Sequence, residues 1–377
     1  MIIRNASVYT EEGFEVKDIY IVGTEFKGKP QGEEQIIDAE GCYAIPGLTD
    51  IHFHGCMGAD ISDGSVEAFD QIADYEARNG ITTIVPATMT LPEKTLYQIC
   101  EAASTFRRQQ EAGEKENKAV LCGIYMEGPF VSKEKMGAQN PAYIKRADQK
   151  LFDRMQEKSG EMIRFVAIAP ETDGAIEFIR KNQKRTVLSV AHTEADYSSA
   201  AKAFAAGASH VTHLYNAMTP FTHRNPGVIG AAVDAEAEAE LICDGVHVHP
   251  SAVRIAIKLF GEDHIIFISD SMRAAGLADG SYTLGGQKVE VKGQYARLES
   301  GNLAGSVTNL MDCMRWAVKE AGISLETAVK CAAVNSAKSA GIYEKYGSIT
   351  PGKTANLVLL KKEDLSLKNV ILKGKIL

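Results

Sequence analysis

The chain has 377 residues, 45% of them hydrophobic and 24% charged, which suits a soluble globular protein with a large core. Its formal net charge of −8 argues against a non-specific nucleic-acid or anionic-membrane binder, while leaving room for an anionic small substrate held at a local basic site. Seven cysteines, an odd number without a C-x-x-C, suggest neither a disulfide framework nor a cysteine zinc site and fit a reducing compartment.

In chain order, MIIRNASVYTEEGFEV alternates like a strand and lacks the apolar stretch of a signal peptide. No apolar run approaches the ~20 residues needed to span a bilayer, so a cytoplasmic protein is expected. MIIRNASVYT, DIYIVGTEF and EQIIDAEGCYAIPG read as short strands, as do YGSITPGKTANLVLL and NVILKGKIL at the far end. Neither end is long enough for a stable sheet alone. Residues 1–46 and 350–377 are therefore expected to pair as one small β-sandwich domain.

Between them, apolar runs alternate with helical patterns. The runs are LTDIHFHG, ITTIVPATM, VLCGIYMEGPF, IRFVAIAPE, TVLSVAHTEA, HVTHLYNAM, AELICDGVHV and IIFISDSM. Helices are predicted over 65–79, 93–112, 148–158, 174–184, 196–206 and 250–260, with two more after the last run. This is an α/β pattern, and eight strands joined mainly by helices predict a (β/α)8 TIM-type barrel over residues 47–349. A doubly wound sheet would normally show a Gly-rich nucleotide loop after an early strand, and none is present. Residues 281–304 read as a β-hairpin inserted after the eighth strand.

In such barrels chemistry gathers at the C-terminal strand ends. His52 and His54 end strand one, Glu127 strand three, His192 strand five, His213 strand six and Asp270 strand eight, while Asp244 and His247 follow strand seven. Alone, each has a plain alternative: a satisfied core histidine, or an aspartate capping the next helix. Six potential metal-site side chains from five strands lower those alternatives together. Glu127 after GIYM would be costly unless paired or bound to a metal. His210 and His264 begin strands and read as structural, and His249 as a helix-start residue.

These residues resemble the amidohydrolase superfamily: PGLTDIHFHG, the strand-end histidines, the last-strand aspartate and the closing GSITPGKTANLVLL. Within it, MEGPF, AHTEA, THLYNAM, HRNPG, DGVHV, SDSMRAAG and NLAGS resemble the N-acetylglucosamine-6-phosphate deacetylase family, in order along essentially the whole chain. The resemblance implies hydrolysis of the sugar's acetamide to glucosamine 6-phosphate and acetate, in amino-sugar catabolism and cell-wall sugar recycling. It implies one or two divalent cations (Zn, Fe, Mn, Co or Ni), with Glu127, His192 and His213 as the main ligands. His52 and His54 then decide whether a second cation sits beside the first.

The resemblance also makes Asp270 the catalytic acid/base. Ala138, Gln139, Asn216, Ala217, Arg224, Asp244, His247, Leu303, Ala304 and Gly305 become the residues that hold the sugar phosphate. His247 has a second expected part, polarising the acetyl carbonyl. Gln139 stands where some members have histidine, so proton transfer there is excluded. Asn356 replaces the usual aspartate of the closing motif, with no catalytic effect expected. Arg224, with His223 beside it, suits a phosphate, although a solvated surface arginine explains it as well from the residues alone. A homodimer is expected, with the Arg224 loop near its interface and a neighbouring subunit contributing to the phosphate site.

Cyclic-amide hydrolases of the superfamily bridge two metals with a strand-four lysine, and IRFVAIAPE has none. Deaminases remain a rival, separated by release of ammonia rather than acetate. A non-catalytic barrel has little use for this set of strand-end residues.

Overall fold

A computed structural model describes residues 1–28 and 35–377. Ile2–Thr10 pairs antiparallel with Gly13–Val22 and parallel with Cys42–Pro46. Cys42–Pro46 in turn pairs antiparallel with Leu357–Lys361, so the two ends of the chain share one eight-stranded sheet. Its apolar face closes over a cluster of its own, including Ile3, Val8, Ile21, Phe26, Leu357 and Ile371. Burying that surface offsets the chain entropy that neither end meets alone.

The middle of the chain carries two parallel sheets. One runs Val120–Leu121, Ile81–Ile84, Leu48–Asp50. The other runs in sequence order through Ile124–Met126, Ile163–Ile168, Val187–Val190, His210–Val211, Glu238–Ile242 and Ile265–Ile268. A parallel bridge joins Ala87 to Tyr125 on one side, and the Asp270 N–H donates to the His52 carbonyl at 2.9 Å on the other. The strands are buried on both faces, as their unbroken apolar runs require.

Helices Val66–Arg78, Glu93–Glu111, Gln149–Ser159, Ala175–Asn182, Tyr197–Ala206 and Pro250–Phe260 lie between successive strands. Local chemistry sets their ends. Ser65, Asp148 and Asp196 accept hydrogen bonds from first-turn N–H groups, and Gly160 and Gly207 close two helices in the left-handed conformation. The His249 side chain likewise accepts from the Ser251 N–H at the start of Pro250–Phe260. Two features differ from expectation. Gly227–Asp234 is a further helix; GVIGAAVD is apolar all round, so it shows no amphipathic period. The insertion after the eighth strand is a three-stranded antiparallel meander, Gly280–Leu284, Gln287–Lys292 and Tyr295–Leu298, rather than a hairpin. Its second turn, at Gly293, joins two strands that each alternate buried and exposed residues. Among the described residues, no helix is long and apolar enough to cross a membrane.

Candidate metal centre and substrate cavity

Glu127 leaves the strand Ile124–Met126 and is buried among four imidazoles. His192 Nε2 and His213 Nε2 lie 3.0 and 3.1 Å from its Oε1. His52 Nε2 stands 3.5 Å from the same oxygen, and His54 Nε2 3.4 Å from Oε2. His54 Nε2 is also 3.3 Å from Asp270 Oδ1, which borders the cavity. Five strand ends therefore supply one cluster, as their positions after apolar runs had suggested.

The other ring nitrogens fix how these imidazoles present themselves. His54 Nδ1 faces the Ala87 carbonyl and His192 Nδ1 the Lys135 carbonyl, each at 2.9 Å. A carbonyl only accepts, so both Nδ1 atoms carry a hydrogen and both Nε2 atoms are turned inward. His52 Nδ1 is 2.8 Å from Glu240 Oε2, leaving its Nε2 without a hydrogen-bond partner among the described residues. His192 and His213 bring their Nε2 atoms within 3.1 Å of each other. Lone pairs this close repel unless a proton or cation lies between them.

Electrostatics says the same. Burial opposes charge on Glu127, yet His52, His192 and His213 hold its carboxyl well below the usual range. Burial also opposes the His52 and His54 cations, but Glu240 and Glu127 raise the first and Asp270 and Glu127 the second. A divalent cation replaces such shared protons, since ligands bind deprotonated. Two ligand atoms about 2.1 Å from a tetrahedral ion stand roughly 3.4 Å apart. The Glu127, His192 and His213 atoms, 3.0–3.1 Å apart, approach that arrangement, and His52, His54 and Glu127 form a second candidate triad. The donor set of imidazole and carboxylate suits a transition-metal cation.

Three of the residues sit on strained backbone: His192, His213 and Asp270 have φ of 43°, 31° and 48°. Left-handed conformation in bulky residues costs energy and concentrates at functional sites. Tyr215 and Ala217, at 77° and 49°, extend the strain along the loop after the sixth strand.

The cluster floors a cavity of about 350 Å³. Ala138, Gln139, Asn216, Ala217, His247, Leu303 and Gly305 line it. Ala304 is buried behind its neighbours, and Asp244 is spent on His247: its Oδ2 is 2.7 Å from Nδ1, and its Oδ1 takes the Val246 and His247 N–H groups. Burial opposes a charged His247, but that carboxylate raises its pKa. Arg224 and His223 are exposed and do not border the cavity. His210 is buried with Nε2 3.1 Å from Glu240, whereas Asn356 accepts the Lys373 N–H in the terminal sheet.

Two features escaped the sequence reading. Glu240 receives His52, His210 and the His213 N–H, and these imidazoles outweigh burial to pull its pKa down to about 2. Its signal was a carboxylate inside the apolar run AELIC. Such a partner orients a ligand histidine and fixes its tautomer. Lys135 also lines the cavity, beside Glu134; nothing in KEKMG sets it apart from a surface lysine.

The chain matches the Amidohydrolase family over residues 43–377. The chain belongs to the amidohydrolase family. This amidohydrolase is 38% identical over 364 residues to an N-acetylglucosamine-6-phosphate deacetylase of Bacillus subtilis (strain 168), covering 96% of this chain and 90% of that one. It is 34% identical to an N-acetylgalactosamine-6-phosphate deacetylase of Escherichia coli O157:H7, covering 88% and 86%. Its fold superposes with a TM-score of 0.91, at 29% identity and 100% and 98% coverage, on an N-acetyl-D-glucosamine-6-phosphate deacetylase from Mycobacterium smegmatis. That structure is an aspartate-to-alanine mutant in complex with N-acetyl-D-glucosamine 6-phosphate.

Proposed function

We propose that this amidohydrolase hydrolyses the acetamide of N-acetyl-D-glucosamine 6-phosphate to D-glucosamine 6-phosphate and acetate. The observation that carries the proposal is the Glu127-centred ring of imidazole Nε2 atoms, with Asp270 and His247 on one cavity, in a chain whose full-length relatives bear that name. Glu127, His192 and His213 would hold a divalent cation, and His52, His54 and Glu127 a second. A cation there supplies Lewis acidity, lowering the pKa of a water and polarising a carbonyl.

Asp270 does the proton work. Burial penalises its charge, but the His54 contact and the His52 and His54 charges hold its pKa below the ordinary value. It is therefore ionised at neutral pH, ready to take the proton of the attacking water. It then passes that proton to the amide nitrogen, a poor leaving group until protonated. His247, its Nδ1 held by Asp244, would donate a hydrogen bond to the acetyl oxygen. Asn216, the 303–305 strip and the Ala138 loop orient the sugar.

Acetate release tests this directly. N-acetylglucosamine 6-phosphate is expected to turn over at least tenfold more efficiently than the unphosphorylated sugar; ammonia release, or no preference for phosphate, overturns the reading. The Escherichia coli relative makes N-acetylgalactosamine 6-phosphate the necessary comparison substrate. The histidine pair has its own test. Fully loaded protein should hold two metal ions per chain, and the His52→Gln/His54→Asn double variant one, by elemental analysis. Equal loading removes the pair from metal binding.

The same proposal covers the architecture and setting. We read the two parallel sheets as one closed (β/α)8 barrel over 47–349, supported by the Ala87–Tyr125 bridge and the Asp270–His52 hydrogen bond. We read residues 1–46 with 350–377 as the small β-sandwich domain, a reading supported by the apolar cluster that their shared sheet keeps to itself. Seven free, buried cysteines favour the cytoplasm. Phe221, Ile255 and Leu259, each more than 40% exposed, border an apolar depression, which favours a homodimer through this face.

A further inference from the structure

Gln139 is nearly fully buried, and its amide has two well-defined partners. Its Oε1 accepts the Thr90 N–H at 2.6 Å, and its Nε2 donates to Glu127 Oε2 at 2.9 Å. The second Nε2 hydrogen faces Met89 Sδ at 3.7 Å. The amide's orientation is not open to choice. A backbone N–H only donates, so the oxygen must face Thr90 and the nitrogen must face the carboxylate.

This makes a relay of fixed directions. The Thr90 backbone sets the amide, and the amide sets the plane of the Glu127 carboxylate. With Oε2 held by Gln139, Oε1 is left aimed between His192 and His213. Both Nε2 hydrogens are then occupied, so the side chain has no donor left for a sugar hydroxyl or phosphate.

We infer that Gln139 is a positioning residue, which locks the Glu127 carboxylate for cation binding, rather than a residue that holds the sugar phosphate. The inference rests on the proposed role of Glu127 as a metal ligand. It explains why glutamine serves where a proton carrier is not required: donor and acceptor must be presented together, on opposite sides of one flat group. Losing such an outer partner of a metal ligand typically lowers metal affinity by about 10- to 100-fold.

Two variants test it. Gln139→Met keeps the bulk and loses both hydrogen bonds. Gln139→Glu keeps an acceptor for the Thr90 N–H but turns an oxygen towards Glu127. Zinc-loaded proteins are titrated with a chromophoric chelator. Both variants are expected to give up zinc about 10- to 100-fold more readily than wild type, while their metal-free forms melt with the wild-type metal-free form. With zinc in excess, KM for N-acetylglucosamine 6-phosphate stays within twofold of wild type. Unchanged zinc affinity with a raised KM in either folded variant makes Gln139 a sugar contact and overturns the inference alone. A wild-type chain that takes up no divalent cation overturns it together with the metal-centre reading. Because the chelator titration needs no substrate, it stands whether or not acetate is released.

Discussion

Asp270→Asn is expected to lower kcat for acetate release by about 10²–10⁴-fold while leaving the bound metal in place, the range attributed to a positioned general acid–base. The substitution is close to isosteric, so the contact with His54, 3.3 Å away, and the left-handed backbone at φ 48° lose little. What is lost is basicity: an amide neither takes the proton of an attacking water nor returns it to the leaving nitrogen. Metal content should hold because both candidate ligand triads centre on Glu127 and neither needs Asp270. KM is expected to change little, since Asp270 acts on the reacting atoms and not on the phosphate. Paired measurements of acetate release and metal content decide the matter. Retained turnover removes Asp270 from the mechanism; loss of metal with turnover makes it a ligand instead.

How much of this was legible in the sequence depends on what kind of information each residue carries. His52, His54, Glu127, His192, His213 and Asp270 stand out because each follows an apolar run, where a polar group needs a reason. Their meeting at one point is a consequence of parallel strands ending on the same rim. The helix ends were readable because Ser65, Asp148, Asp196 and Gly160 use local chemistry that spacing reveals. Glu240 was harder. Its role depends on a hydrogen bond to His52, 188 residues away, which no local pattern encodes. The positive φ angles of His192 and His213 are also invisible beforehand, because a histidine gives no hint of left-handed backbone in the way a glycine does. The helix Gly227–Asp234 was missed for an opposite reason: with no polar face, periodicity had nothing to alternate with. Gln139 shows the limit for side chains. A resemblance can place it at a sugar site, but only the direction of the Thr90 N–H says which way its amide turns.

Arg224→Glu is the second large effect. It should cost roughly 100-fold in kcat/KM on the phosphorylated substrate, about 3 kcal/mol, the worth of two charge-assisted hydrogen bonds between a guanidinium and a phosphate. The unphosphorylated sugar should be nearly indifferent to the change. The structure makes the prediction sharper than a simple loss. Arg224 is exposed and borders no part of its own cavity, and it follows three residues after Phe221, which lines an apolar depression with Ile255 and Leu259. If that face joins two copies, each Arg224 completes the other's site. Co-expressing Arg224→Glu with Asp270→Asn then gives mixed dimers in which one site has both an intact Asp270 and a partner's arginine. Such a mixture should recover about a quarter of wild-type activity from two nearly inactive parents, because half the dimers are mixed and one site in each is whole. No recovery in a mixture shown to contain mixed dimers would mean that each arginine serves its own chain. A wild-type protein that sediments as a monomer at assay concentration would remove the shared site altogether.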